Sequence, residues 1–310
     1  MELSILLAEQ ITAMFLTMAV GYVIVKIGLF KTEDSKVVSN LVVYIFSPCT
    51  IINSFQIELT QDKIQGLGMA VLVSIVVHAA MIVLTRLLEK PLGLNSIEKA
   101  SIIYTNSGYL VIPLVSTVLG EKWVFYTTAF ITVQTVLVWT HGVSLVNCGH
   151  EKDYKKIFLN PNIIATVIGL ILFMAEIRLP VVIDSCISGF GNMISPASML
   201  VIGMVIGNVD LLWVFRQKRV YLICFLRLIA YPLIATFSFA ALGHMGFHHD
   251  TEYILLVVLW ATIAPAAAMI TQIAQIYNRD AKYASVINVM SVVFCIATMP
   301  LITLLYESMF

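Results

Sequence analysis

Charge is what this sequence has least of. Only 12% of its 310 residues are Asp, Glu, Lys or Arg, about half the share of a soluble domain, which excludes a water-soluble globule. The eighteen basic residues are matched by eighteen acidic ones, so no basic excess points to nucleic acid as a partner. Five cysteines lie far apart without a CxxC pair, and Cys148 with His141 and His150 lacks the spacing of metal ligands. No GxSxG, HExxH or paired intramembrane Asp occurs, so neither an enzyme nor a cofactor or metal site is expected. Met1 to Gln10 has no basic n-region, and the apolar run that follows is too long for a signal peptide, so it is expected to stay as a spanning helix.

What the chain has is apolar length: 60% of residues are hydrophobic and the mean hydropathy is +0.95. A spanning helix needs about 20 mostly apolar residues. Ten stretches qualify: Ile5 to Ile27, Val37 to Phe55, Leu67 to Leu88, Ala100 to Leu119, Trp123 to Val146, Ile157 to Ile177, Val181 to Val209, Val220 to Leu242, Tyr253 to Tyr277 and Tyr283 to Leu305. The connections are short, so the expected fold is an all-α polytopic membrane protein with no extramembrane domain. Loops after odd-numbered spans carry fourteen Lys and Arg and the opposite loops three. That bias puts the former in the cytoplasm and both termini outside.

The two halves echo each other. Ser47-Pro48 in the second span and Ser195-Pro196 in the seventh have prolines 148 residues apart; Pro113 and Pro265 are 152 apart, and the lone amides Gln134 and Asn288 are 154 apart. An offset near half the chain reads as a repeat of five helices, 1–150 and 151–310, forming one transporter unit. Five is odd, so the second copy enters the membrane inverted, the arrangement of many secondary carriers.

"YTNSGYLVIPLVSTVLG", Tyr104 to Gly120, places helix-breaking and hydrogen-bonding residues inside an apolar span. Lipid offers no partner to a broken backbone, so the break must face protein or a water-filled cavity. Pro113 lacks an N–H and clashes with the carbonyl of Tyr109, while Gly108 permits unusual dihedrals. Asn106 and Ser107 can bond either backbone or ligand. Pro265 breaks the ninth span near Thr262, Thr271 and Gln272. These nine residues are the expected substrate-binding set, against the plainer reading of two packing kinks. Neither break contains Asp or Glu, which argues against the alternative of a sodium or proton antiporter; a non-transporting sensor is a further alternative.

"NSGYLVIPL", "NPNIIATVIGL", "SPASMLVIGM", "RLIAYPLI" and "APAAAMITQIAQIYNRDAKYASVINVMSVV" resemble the auxin efflux carrier family nearly end to end. That family includes plant auxin exporters and bacterial organic-acid carriers. The resemblance implies ten helices in two inverted repeats, with the fourth and ninth crossing at their proline breaks beside the substrate, and it puts Asn106, Gly108, Pro113 and Pro265 at crossover positions. The short loop Asn147 to Asn160 lacks the long insertion of many plant members. Around Pro265, Ile263, Ala264, Ala266 and Ala267 offer no polar side chain, so a small organic anion such as malonate, malate or oxalate is expected rather than auxin, carried by alternating access in a bacterial cytoplasmic membrane. A homodimer is a candidate assembly, and the proton or the membrane potential a candidate driving force.

Ionisable side chains within spans are functional candidates because burying them is costly. Arg227 lies eight residues beyond Arg219 in the eighth span; it either binds the anion or snorkels to the cytoplasmic face. His78 in the third span is a candidate proton carrier or a packed polar group. Glu9 and Asp184 are expected at the outer interface.

Overall fold

The computed structural model describes residues 2–147, 158–207, 214–243 and 249–309, and side chains within these except for residues 2–11, 109, 272, 275 and 276. Cys148 and His150 therefore lie outside the described residues. Apart from one isolated β-bridge, regular structure among the described residues is helical. Six helical runs there are long and apolar enough to cross a membrane: Thr32–Ser54, Gln61–Leu92, Glu121–Val146, Val181–Gly207, Lys218–Gly243 and Ala281–Glu307. The other four expected spans take shorter forms. Apolar helices occupy Thr12–Lys26 and Pro161–Met174, and the fourth and ninth are each split, into Ser96–Ile103 with Ile112–Val118 and Thr251–Ile263 with Ala268–Ile276.

Burial is distributed as lipid demands. Leu16, Leu72, Val76, Ile171, Phe237 and Leu301 are each more than half exposed, whereas Arg227, His78, Ser74, Ser198 and Thr303 are buried. In water such an apolar exterior would be a large sticky patch; against hydrocarbon it carries no penalty.

Proline explains much of the irregular geometry. Three five-residue π-helical turns, Val42–Phe46, Ser107–Val111 and Leu226–Ala230, each end two residues before a proline: Pro48, Pro113 and Pro232. A proline in a helix removes one N–H and pushes on the carbonyl four residues earlier. The wider π turn relieves that clash without ending the helix. Pro196 is accommodated differently, in the first turn of Ile194–Gly207, just after the helix Val181–Gly191 ends. Pro161 follows the Asn160 cap, whose Oδ1 accepts from the Asn162 and Ile163 N–H groups at 3.0 and 3.4 Å, the usual place for proline at a helix start.

The chain forms two compact units. The first comprises Met1–Ile64, Gly108–Thr128 and Phe158–Asp210; the second comprises Gln65–Ser107, Ala129–Ile157 and Leu211–Phe310. Each draws segments from both halves of the sequence.

In the first unit, Glu2–Lys26 packs along Ile194–Gly207. A Cβ at Gly203 would overlap the Met18 carbonyl, and one at Gly21 the Leu200 carbonyl. Glycine here lets two backbones touch, a common device of membrane helix pairs. Ser47 Oγ donates to Asn162 Oδ1 at 2.8 Å, and Thr50 Oγ1 to the Phe46 and Gly191 carbonyls at 2.9 and 3.1 Å. Ser47 and Pro48 thus belong to a packing contact of this unit, which also holds Ser195 and Pro196 in the first turn of Ile194–Gly207.

In the second unit a polar knot closes the end that holds Asn95, Arg219 and Tyr283. Asn95 and Glu98 form a reciprocal capping box, each side chain accepting the other's backbone N–H at 2.9 Å. Arg219 donates to both Glu98 carboxylate oxygens, at 2.8 and 3.1 Å, and to the Leu92 and Gly93 carbonyls; the Tyr283 hydroxyl adds a bond at 2.7 Å. Burial pushes the Glu98 carboxyl up, but the bonds from Arg219, Asn95 and Tyr283 outweigh it and hold it below its ordinary value. Stability from this group is therefore fully present above the unfolded carboxyl value near ~4.3 and is lost as pH falls through the lower folded value. Glu98→Gln should destabilise the protein by about 1.5–2 kcal/mol, the low part of the range for bonds to a charged group because Arg219 is part-exposed. It should also flatten the acid limb of a melting-temperature profile against pH, which thermal melts in detergent will read.

Candidate functional site

The helix Ser96–Ile103 stops because Tyr104 turns extended, φ −98° and ψ 137°. Thr251–Ile263 stops in the same way at Ala264, φ −59° and ψ 155°, the conformation that a following proline imposes. The two extended segments meet. Thr105 and Ala266 form an antiparallel bridge, with the Asn106 N–H on the Pro265 carbonyl at 2.8 Å and the Ala267 N–H on the Tyr104 carbonyl at 3.0 Å. Two broken helices thereby satisfy part of each other's freed backbone, which a membrane interior requires.

Side chains from two neighbouring helices satisfy the rest. Gln134 Oε1 accepts from the Thr105 N–H and hydroxyl, both at 2.9 Å, and its Nε2 donates to the Thr105 carbonyl at 2.9 Å and to Ser107 Oγ at 3.0 Å. Across the bridge, Ser291 Oγ accepts the Ala266 N–H at 3.0 Å and Asn288 Nδ2 donates to the Ala266 carbonyl. The two bridge partners are thus held alike, each at both its N–H and its C=O.

Arg227 supplies a third support. It is completely buried, and four of its five N–H groups go to carbonyls at the C-terminal ends of the two half-helices. Nη1 reaches Ile102 at 3.0 Å, Nε and Nη2 reach Ala264 at 3.0 and 2.8 Å, and Nη2 also reaches Thr262. A helix C-terminus carries about half a negative charge, so two of them balance one guanidinium. Of the two roles read from sequence, snorkelling does not fit a side chain with no exposed surface. Its fork is spent on backbone at the breaks.

The other expected residues fall as follows. Asn106 is 6% exposed, and its side-chain amide makes no hydrogen bond among the described residues. Thr262 Oγ1 turns back onto the Val258 carbonyl at 2.7 Å. Thr271 lies in the Ala268–Ile276 helix, which starts two residues past the bridge. Gly108 and Pro113 belong to the first unit, Gly108 in the π turn and Pro113 at the second position of Ile112–Val118. The break of the fourth span thus sits at Tyr104–Asn106, seven to nine residues ahead of Pro113, because the π turn absorbs that proline. The side chains of Tyr109 and Gln272 lie outside the described residues. Thr105 and Ser291 were not singled out from sequence; Ser291 follows Asn288 by three residues, on the same face of its helix, a spacing from which it could have been found.

A cavity of about 540 Å³ lies in the same unit between Gln61–Leu92 and Tyr231–Gly243, lined by Leu72, Val76, Met81, Ile234 and Phe239 among others. Its lining is mostly apolar, with Gln65, Tyr231, Ser238 and Thr262 as the polar members.

A chain whose described residues are helical apart from one bridge, with an apolar exterior and two broken helices joined at that bridge, is an integral membrane protein. The chain belongs to the membrane transport protein family, that of the auxin efflux carriers, whose model matches it twice, over residues 6–155 and 149–303. Members of this family are transporters rather than enzymes. No curated protein matches the chain.

Proposed function

We propose that this protein is a secondary carrier that moves a small carboxylate by alternating access, binding it beside the Thr105–Ala266 bridge. The observation that carries this reading is Asn106. Its backbone is pinned opposite Pro265 while its amide, which makes no hydrogen bond among the described residues, is left for a ligand. An amide that holds nothing in its own fold suits a binding group better than a packing kink, whose polar side chains are spent on the freed backbone. The first turn of Ala268–Ile276 begins just beyond the bridge, and its N–H groups and dipole favour an anion there. In this reading Thr271 and Gln272 of that helix, with Thr262 and Ser107, are the further polar residues available to the substrate.

Two matches of one family model, each to about half the chain, support ten spans in two inverted five-helix repeats, 1–150 and 151–310. The loop basic count supports cytoplasmic placement of Lys155 and Lys218, with both termini outside a bacterial cytoplasmic membrane. Proteoliposomes preloaded with unlabelled anion test the reading by counterflow. Labelled malonate, malate or oxalate should exchange and indole acetate should not. Absence of exchange with all four would remove the carrier reading.

A further inference from the structure

The site has one buried imidazole that its architecture leaves unused. Three side chains of Asp, Glu, His, Lys or Arg are buried among the described residues. Glu98 is tied to Arg219 and Tyr283, and Arg227 is committed to carbonyls. The third is His78. Its Nδ1 lies 2.7 Å from the Ser74 carbonyl. A carbonyl can only accept, so Nδ1 carries the hydrogen and Nε2 presents a lone pair. That Nε2 has no partner among the described residues. The ring packs on Phe130 with centroids 4.6 Å apart and lies within interaction range of Gln134, whose own amide already clamps the break at Thr105 and Ser107. Phe130 and Gln134, both from the Glu121–Leu137 helix, are neutral. The charge whose field reaches the ring is Arg227, from the eighth span.

We infer that His78 is the proton-binding group of the carrier, taking up one proton at Nε2 with each anion bound at the bridge. This rests on the anion-site reading above. The proton comes from water on the side to which the site is open and leaves Nε2 to water on the other side after the site has turned. No bond other than N–H forms or breaks. The coupling is electrostatic: a second positive charge beside Arg227 is unfavourable in an empty low-dielectric site and becomes favourable when a carboxylate arrives. By linkage, whatever factor the anion adds to proton affinity the proton adds to anion affinity. A structural route accompanies it. Protonated Nε2 becomes a second donor, and Gln134, the neighbouring amide that holds Thr105, is the polar side chain on which proton binding would act.

The test uses reconstituted full-length protein and labelled malonate, malate and oxalate, following whichever exchanges. In wild type, KM for exchange should fall as pH drops from about 8 to 5, the range in which an imidazole titrates, by about tenfold, within the usual span of coupled sites. An alkaline-inside gradient should drive accumulation. In His78→Gln, exchange should persist at saturating substrate with a raised KM that no longer varies with pH, and gradient-driven accumulation should be lost. If none of the anions exchanges in wild type, the anion-site reading fails. If they exchange and His78→Gln accumulates substrate with the wild-type pH profile, the proton site alone is refuted. Should the variant fail to insert, calorimetric titration of wild type in buffers of differing ionisation enthalpy decides: net uptake that peaks at about half a proton per bound anion, as a tenfold coupling requires, supports the site, and zero uptake at every pH across that range overturns it.

Discussion

Arg227→Gln is expected to cost the fold before it costs transport. The guanidinium joins the C-terminal ends of both half-helices, and glutamine, with one NH₂, leaves at least one of three carbonyls bare in a place that water and lipid cannot satisfy. Each unpaired buried carbonyl costs about 1–3 kcal/mol, and the two helix ends also lose their balancing charge, so a loss of ~3–5 kcal/mol follows. Arg227→Lys should rescue little, since an ammonium lacks the planar fork that reaches three carbonyls at once. Thermal melts and monodisperse yield in detergent will show it. Wild-type stability of both variants with a specific rise in KM would instead make Arg227 an anion ligand.

Asn106→Ala is expected to do the reverse, sparing the fold and disabling transport. The backbone N–H that meets Pro265 survives the substitution, and the deleted amide bonds nothing among the described residues, so melting temperature should stay near that of wild type. What is lost is a hydrogen bond to a charged ligand, about 1.5–3 kcal/mol, or roughly 10- to 100-fold in apparent affinity. Counterflow KM at matched protein reads this directly. An unchanged KM would move the site away from the bridge.

The membrane class, most spans and the break in the fourth and ninth helices were legible because lipid makes long apolar runs and interrupting polar groups conspicuous. Gln134 and Asn288 stood out as lone amides, and both proved to hold the bridge. The position of the fourth-span break was not legible. Pro113 drew attention as the strongest helix breaker, yet a π turn absorbs a proline at little cost, and no sequence periodicity signals a π turn. The extended stretch begins instead at Tyr104, a residue with ample tolerance for helix, because its partner segment across the bridge is extended by Pro265. The role of Arg227 was equally hidden: spacing along one helix shows its depth, whereas its partners are carbonyls of two other helices.

The central claim is that the carboxylate binds where the two broken helices pair. A structure determined with the exchanged anion bound tests it most directly. The account predicts ligand density beside the Thr105–Ala266 bridge, with a carboxylate oxygen within hydrogen-bond reach of the Asn106 amide and facing the first turn of Ala268–Ile276. Density for the anion elsewhere, with the Asn106 amide bonded to protein, would contradict it.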